Sequence, residues 1–329
     1  MSIEAHKRPL VTFCVVAYKQ EQFIRGAVES AFAQTYSPLE IILTDDCSPD
    51  RTFEIMEEMA SAYRGPHRLI LNRNPKNLGI GSHVNKLVSL ANGELLVAAA
   101  GDDISLPERT ELTYQVWEAS GRKALLLLAD AIEFDQTGHE VERKSPKFVP
   151  GKHFDEALEN FDGHCGCTEV FSPELFRIFG PLQAELSIED KPILLRALLA
   201  GEVAYVPHTL VRYRRHSGAV SVGMCSAKTL EEAFDYHRRK AGQQLEKYRQ
   251  YRLDAITWKR VGGPNSVPDD FFRQLDKVVF LYNLRSRMCG RNRGLQWMAF
   301  VQSWTTSMPL RERIRWLLWL MRIPVKLAL

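Results

Sequence analysis

The stretch "LVTFCVVAYKQEQFIRGAVESAFAQTYSPLEIILTDD", residues 10–46, holds one complete strand–helix–strand unit. Residues 10–18 are a near-continuous apolar run of β-branched and aromatic side chains, the pattern of a strand covered on both faces. Phe23, Ile24, Ala27, Val28, Ala31 and Phe32 then recur at helical spacing. "LEIILTDD" (39–46) returns to strand and ends on two carboxylates.

The alternation continues. "SPDRTFEIMEEMASAY" (48–63) predicts a helix with Ser48 as N-cap and Pro49 at its first position. "HRLILN" (67–72) predicts a strand, "GSHVNKLVSLANG" (81–93) a helix ending at Gly93, and "ELLVAAAG" (94–101) a fourth strand. "LPERTELTYQVWEAS" (106–120) predicts another helix and "KALLLLAD" (123–130) another strand. Strands and helices in alternation, with short connections, make an α/β fold: a Rossmann-like, mostly parallel central sheet with helices on both faces. Ligands of such sheets bind outside the carboxyl ends of the strands. The residues at those ends are Ala17–Tyr18, Asp45–Asp46 and Asp102–Asp103. Polar and acidic groups therefore converge on one edge before any motif is invoked.

Composition narrows the function classes. The 329 residues are 45% hydrophobic and 25% charged, which suits a globular chain with a sizeable core. A formal net charge of +3 does not imply nucleic acid as a partner. Arginines gather late, at Arg212, Arg214 and Arg215, at Arg238 and Arg239, and at Arg311, Arg313 and Arg315. None of the six cysteines forms a C-x-x-C pair. Cys14 sits in a strand pattern and reads as core, while His164, Cys165 and Cys167 make only a weak zinc set. The absence of a disulfide framework suits a reducing compartment. The N-terminus reads as a first strand rather than a signal peptide, and no run reaches the ~20 apolar residues of a membrane span. A cytoplasmic location, or the cytoplasmic face of a membrane, is expected.

Residues 133–162 are polar with scattered turns. Residues 187–201 read as an amphipathic helix closed by Gly201, and residues 203–221 as an extended pair of segments. Beyond residue 221 the chain turns helical and polar, with a break at 262–265. The predicted domains are residues 1–222 and a mainly helical extension, residues 223–329.

Four constellations carry candidate chemistry. Asp102 and Asp103 are hard oxygen ligands suited to Mg²⁺ or Mn²⁺, or else a helix-capping turn. Asp45 and Asp46 can accept from a base N–H or a ribose hydroxyl, or else shape a turn; Ser48 and Pro49 already start the helix, which leaves both carboxylates free of that job. Asp190, with Glu189 beside it, heads a helix whose dipole favours an ionised carboxylate and so a general base; N-capping is the other reading. His216 follows three arginines, which suits either phosphate neutralisation or a solvated face.

Taken in order, these blocks resemble glycosyltransferase family two, the inverting enzymes with a GT-A fold. The resemblance rests on "VVAYKQEQFIRGAVESAFAQTYSPLEIILTDDCSPDRT", "NLGIGSHVNKLVSLANGELLVAAAGDD", "EVFSPELFRIFGPLQAELSIEDKPILLRALLAG" and "VRYRRHSGAVS", and it covers about residues 9–221. It implies a nucleotide-sugar donor, UDP-linked by default, and a glycan or lipid-linked sugar acceptor in cell-surface polysaccharide or lipopolysaccharide synthesis. It implies that Ala17, Tyr18, Glu21 and Asp46 lie at the base and ribose, with Asp45 in support, and that Asn77 and Asn85 enter the next helix. Asp102 would face the ribose or donor sugar. Asp103 would be the main ligand of a divalent metal, Mn or Mg, completed by His216. Asp190 would be the general base, with Glu189 near the acceptor. One departure is Ala100, where many members carry a further Asp; fewer carboxylates then share the metal.

Two competing enzyme readings fail. The first turn, "AYKQEQF", lacks the Gly-x-Gly-x-x-Gly of a dinucleotide-binding dehydrogenase, and it lacks the Gly-rich basic loop of a nucleotidyltransferase. A nucleotide-sugar-binding protein without transfer activity remains the alternative. The tail, "MPLRERIRWLLWLMRIPVKLAL" (308–329), has the basic-plus-Trp character of an interfacial helix, which predicts a peripheral membrane contact. Packing on the body or a homo-oligomer contact is the plainer reading of the same helix.

Overall fold

The computed structural model describes residues 8–135, 137–146, 164–216, 230–262, 267, 269–289 and 293–303. The tail at 308–329, Cys225 and most of the 133–162 stretch lie outside the described residues.

The strand–helix–strand unit forms as its pattern dictates. β1 (Val11–Ala17) and β2 (Leu39–Asp45) run parallel in register from Val11 opposite Leu39 to Ala17 opposite Asp45. α1 (Ile24–Phe32) crosses between them and buries Ile24, Ala27, Val28 and Ala31. α2 (Thr52–Ala62), β3 (Arg68–Arg73), α3 (Ile80–Leu90) and β4 (Leu95–Ala100) repeat the theme. β5 (Ile104–Ser105) is a short strand, α4 (Arg109–Ala119) follows, and β6 (Ala124–Phe134) is longer than its apolar run suggested.

From β6 onward the sheet departs from the parallel expectation. β7 (Glu140–Lys144), β8 (Val170–Phe171) and β9 (Glu202–Arg214) complete nine strands among the described residues, in the order β3-β2-β1-β4-β8-β6-β9-β5, with β7 on β6. The β3-β2-β1-β4 half is parallel, and so is the β6–β9 pair. β8 lies antiparallel between β4 and β6, and β5 is antiparallel to β9. The sheet is therefore mixed. The two-residue strand β8 carries no periodicity to read, and it is the element that reverses the direction. Of the extended pair expected at 203–221, residues 202–214 form one 13-residue strand, β9, and residues 217–221 lie outside the described residues. β7 escapes prediction because it is exposed and all polar apart from Val141.

The core lies where the two faces of the sheet meet their helices. Phe13, Val15, Ile41, Leu43, Val97 and Leu127 are buried against Val28, Met56 and Trp117. Complete burial of such a side chain is worth about 1.5–3 kcal/mol. Cys14 is core, as expected. Buried Glu40 accepts from Thr12 Oγ1 at 2.7 Å and from the Asn92 backbone N–H at 2.6 Å. Gly93 is required beside it: a Cβ there would lie 2.5 Å from the Thr12 nitrogen.

α5 (Glu174–Phe179) and α6 (Asp190–Ala200) precede β9. Gly201 closes α6 as its sequence predicts. The helical remainder is α7 (Leu230–Val261), α8 (Asp269–Met288) and α9 (Arg293–Ser303). The chain divides into two compact units, residues 1–219 with 254–266, and residues 220–253 with 267–329. In the second unit Tyr248 stacks on Tyr282 and meets Tyr251 edge-on. Among the described residues no helix is long and apolar enough to cross a membrane.

Candidate active site

The carboxyl ends of β1 and β2 are tied into one polar network. The Ala17 carbonyl accepts the Asp46 N–H at 3.0 Å. The first turn docks on the second through Lys19 N–H to Ser48 Oγ (2.9 Å) and Gln20 N–H to Thr52 Oγ1 (2.8 Å). Glu21 Oε2 accepts the Arg51 N–H at 3.0 Å. Ser48 is not the N-cap of α2. Asp45 accepts both the N–H and the hydroxyl of Ser48, so the turn reading left open for this pair holds for Asp45. Asp50 Oδ1 instead receives the Thr52 N–H at the helix start. Local side-chain acceptors compete for the first free N–H groups, and the carboxylates win over the hydroxyl.

Buried Asp46 holds the segment that leads into α3. Its Oδ1 accepts from Asn74 Nδ2 (2.8 Å) and Leu78 N–H (2.9 Å), and its Oδ2 accepts the Gly79 N–H (2.9 Å). Asn77 Oδ1 shares that Gly79 N–H at 3.1 Å. Tyr18 stands exposed at the mouth with the Lys19 ammonium over its ring. Ala17, Tyr18, Glu21, Asp45, Asp46 and Asn77 are thus brought to one edge. Asn85 is not among them: both ends of its amide bond the Leu182 backbone, each at 2.8 Å.

Asp102 and Asp103 follow β4 directly. Gly101 makes their approach to the first turn feasible, since a Cβ there would lie 2.4 Å from Gln20 Oε1 and 3.0 Å from Ala17 Cβ. The antiparallel β5–β9 pairing then delivers the end of β9 to the same place. Asp103 Oδ1 accepts the Arg214 N–H at 2.9 Å, and the Asp102 carbonyl accepts from Arg214 Nε at 2.9 Å. His216 Nε2 lies 2.9 Å from Asp102 Oδ2, and its ring packs 4.6 Å from that of Phe23. Asp103 Oδ2 is buried with no hydrogen-bond partner. Burial, then the neighbouring Asp102, pushes the Asp103 carboxyl well above the usual carboxylate range. An orphaned buried oxygen beside a second carboxylate and an imidazole is a donor set that suits a hard divalent cation. Among the described residues no group of three or more His, Cys, Asp or Glu side chains stands ready-made to hold a metal.

Asp190 and Glu189 head α6, across a short turn from that pair. Asp190 Oδ1 accepts the Lys191 N–H at 2.8 Å, and Lys191 Nζ lies 3.4 Å from Asp190 Oδ2. Burial, then Asp190, raises Glu189 to about 7. Behind them His164 Nε2 bonds Glu169 Oε1 at 2.9 Å, while Lys191 Nζ sits 3.3 Å from His164 Nδ1. Burial and the Lys191 charge lower His164 to about 4, so it is neutral at physiological pH. With both ring nitrogens engaged, the zinc set of His164, Cys165 and Cys167 is not assembled.

The turn Gly166–Thr168 joins the two carboxylate pairs. Buried Arg109 donates through Nη2 to the carbonyls of Ala98 (2.7 Å) and Cys167 (2.9 Å), so the turn is fastened to the strand that carries Asp102 and Asp103. On its other side Gly166 lies against Asp190: a Cβ there would come within 2.9 Å of Asp190 Cβ.

A family profile for glycosyl transferase family 2 matches residues 12–179, just over half of the 329 residues, from β1 through α5. The chain belongs to glycosyltransferase family 2. The Bacillus subtilis (strain 168) protein EpsH, named as a glycosyltransferase, is 28% identical over 267 residues, 76% of this chain and 74% of EpsH. Among the solved structures that share the fold are the following two. Staphylococcus aureus TarS 1–349, in complex with UDP-GlcNAc, has a TM-score of 0.53 at 16% identity, covering 94% of this chain and 79% of TarS. The mannosyltransferase PcManGT from Pyrobaculum calidifontis, in complex with GDP-Man and Mn²⁺, has a TM-score of 0.53 at 14% identity, with the same coverage, 94% and 79%. The GT-A fold of this family 2 glycosyltransferase stands on those likenesses and on its sheet order.

Sequence reasoning missed several residues around the candidate site. Glu169, Lys191 and Arg109 gave no signal, because each acts through a contact more than 20 residues away or through burial in a short element. Phe23 counted only as core. The "HCGC" run at 164–167 was visible, but its placement between the two carboxylate pairs depends on β8.

Proposed function

We propose that this glycosyltransferase is metal-dependent and inverting, and that it moves a hexose from a UDP-sugar to a hydroxyl of a glycan or lipid-linked acceptor in cell-surface polysaccharide or lipopolysaccharide synthesis. The observation that carries the reading is the partnerless, buried Asp103 Oδ2 beside Asp102 and His216, at the edge where Tyr18 and Asp46 also lie. TarS bound to UDP-GlcNAc, and PcManGT bound to GDP-Man and Mn²⁺, support that use of the same fold.

Residues 1–222 would form the donor-binding and catalytic domain. Tyr18 would stack on the base, Glu21 and the Asp45–Asp46 turn would line the nucleoside, and Asn77 would flank it. Asp103 and His216 would hold a divalent cation, with Asp102 toward the donor sugar; diphosphate and water would fill the remaining positions. When bound, that cation supplies Lewis-acid stabilisation of charge on the departing diphosphate.

The transfer itself falls to the chain's own groups. Asp190 would accept the acceptor hydroxyl's proton as the oxygen attacks the anomeric carbon from the face opposite the leaving group, giving inversion in one displacement. Lys191 positions the Asp190 carboxylate from 3.4 Å, and Gly166 leaves room for it. Glu189, raised to about 7, would line the acceptor side and donate a hydrogen bond in its protonated form.

Calorimetric titration with UDP, dTDP and GDP, each with and without Mn²⁺, tests the reading. UDP should bind wild type only with metal, and Asp103→Ala should abolish that binding. Asp190→Asn should bind UDP as wild type does and lose turnover. Metal-independent binding, or none to any nucleotide, would overturn the metal reading.

A further inference from the structure

We propose that Cys165 and Cys167 are a reversible dithiol–disulfide site, oxidised by a low-molecular-weight disulfide of the glutathione class, whose closure displaces Asp190. The proposal rests on the role given to Asp190 above, and on four observations.

The two sulfurs already meet. Cys165 Sγ and Cys167 Sγ are 3.3 Å apart, with one residue between them in sequence. Both are free thiols, and both are partly exposed rather than sealed in the core like Cys14 and Cys289. Cys165 is the less deeply buried of the two, and it alone has to meet a small disulfide from solution. No other ligand claims them, since His164 is bound to Glu169 and Lys191.

Their environment also assigns the order of events. The Cys167 thiol hydrogen-bonds to Cys165 and lowers the Cys165 pKa, while the same pairing and burial push Cys167 up. Cys165 is thus the better attacking sulfur. Its thiolate attacks one sulfur of the external disulfide and expels a thiolate, leaving a mixed disulfide on Cys165. Cys167 then loses its proton and attacks Cys165 Sγ, expelling the second thiolate. Two protein thiols are oxidised to one disulfide, and one external disulfide is reduced to two thiols.

The site has something to report to. Gly166, the residue inside the new ring, is the one packed against Asp190; even a methyl on it would lie 3.1 Å from Asp190 Oδ2. The Cys167 carbonyl is held by Arg109, which also holds the Ala98 carbonyl next to the metal-side strand end. A ring spanning a single residue must reshape the turn, because the disulfide dihedral and Cα spacing are narrow. Arg109 anchors the metal side of the turn, so the displacement falls on Gly166 and on Asp190 beyond it. Such short, strained bridges are easily reduced, as a reversible modification requires.

Mass spectrometry of the full chain, equilibrated in defined glutathione and glutathione disulfide mixtures and then alkylated, tests this. In the oxidising mixtures the peptide bearing both cysteines should be two hydrogens lighter and refractory to alkylation, and excess glutathione should restore both thiols. Cys167→Ser should instead accumulate a glutathione adduct on Cys165. Turnover of the oxidised wild type should fall about a hundredfold, the scale of a catalytic group displaced by about 1 Å, with UDP–Mn²⁺ affinity kept within about twofold. Persisting free thiols, independent glutathione adducts on each cysteine, or a disulfide that leaves turnover unchanged would each overturn the proposal. Absence of UDP binding and turnover in the reduced protein would instead count against the proposed function, while the mass measurement still decides the thiol pair.

Discussion

His216 Nε2 and Asp102 Oδ2 meet at 2.9 Å although 114 residues separate them in sequence. The contact exists because β9 runs back along β5 and ends beside the first turn, where Phe23 packs on the imidazole. Arg214 fastens the same corner through Asp103 and the Asp102 carbonyl. Losing one hydrogen bond to a charged group costs about 1.5–3 kcal/mol, or roughly 10- to 150-fold in a rate or binding constant. His216→Ala should therefore lower kcat/KM by roughly that factor and weaken UDP–Mn²⁺ binding in parallel. The melting temperature should fall by a few degrees, since the same bond is present in the folded chain without ligand. Steady-state kinetics and calorimetry check both; an unchanged kcat/KM would remove the imidazole from the site.

Glu189 predicts a pH dependence whose sign can be worked out. Burial and Asp190 raise its carboxyl from the ordinary 4.5 to about 7 in the folded chain. A group whose folded pKa is raised contributes stability that is full below the unfolded value and is lost as pH rises through the folded one. Between about pH 4.5 and 7 Glu189 alone makes stability fall. His164 acts oppositely: held near 4 against an ordinary 6.5, it makes stability fall as pH drops through the same window. Glu189→Gln removes only the falling contribution, so the stability of the variant relative to wild type should rise between about pH 4.5 and 7 in urea melts. A difference between the two proteins that does not change with pH would show that Glu189 ionises normally.

The parallel half of the sheet was legible because each strand there is an uninterrupted apolar run, such as residues 10–18, bounded by helical periodicity. The carboxylates at the strand ends followed from that alone. In the second half β6 and β9 were visible as extended stretches, but the reversal of direction was not. β8 is two residues long and reverses the sheet, and exposed β7 has no apolar face. The candidate site divides the same way. Asp46, Asp102, Asp103, Asp190 and His216 could be named from local pattern, but not their partners. For Asp45 the sequence left the turn and the ligand readings open, and the turn it forms with Ser48 is decided only by local backbone geometry. Lys191 and Arg109 are defined by contacts with the distant His164 and Cys167, and Glu169 by its burial, none of which a local pattern states.

Arg196 and Asp254 form a bidentate pair at 3.0 and 2.9 Å, both side chains fully buried, with Arg196 Nη1 also on the Gly180 carbonyl. Breaking such a pair leaves an uncompensated buried charge and costs about 3–5 kcal/mol. Asp254→Ala should lose that much in urea denaturation. Replacing both partners with apolar residues, Arg196→Met with Asp254→Leu, should recover most of the loss, since the pair's own desolvation offsets its attraction. A single variant that melts like wild type would show that water reaches Arg196.

Gly166 gives the most selective test of how the acceptor side is built. Its would-be Cβ lies 2.9 Å from Asp190 Cβ and 3.1 Å from Asp190 Oδ2, closer than packed side chains tolerate. Asp190 begins α6 and is tethered by the Lys191 N–H, so it can yield only by leaving its position. Overpacking of this kind costs about 1–3 kcal/mol in stability. The larger effect falls on turnover, where a displacement of about 1 Å in a catalytic group is worth about a hundredfold. Gly166→Ala should therefore lower kcat about a hundredfold and leave UDP–Mn²⁺ affinity intact, because Asp103 and His216 lie on the other side of the turn. Gly242, inside α7 with no atom near its would-be Cβ, supplies the control: Gly242→Ala should leave kcat unchanged and raise stability by about 0.5–1 kcal/mol. If Gly166→Ala lost nucleotide binding together with turnover, the turn would serve the donor side, and Asp190 would no longer stand apart from it as the base.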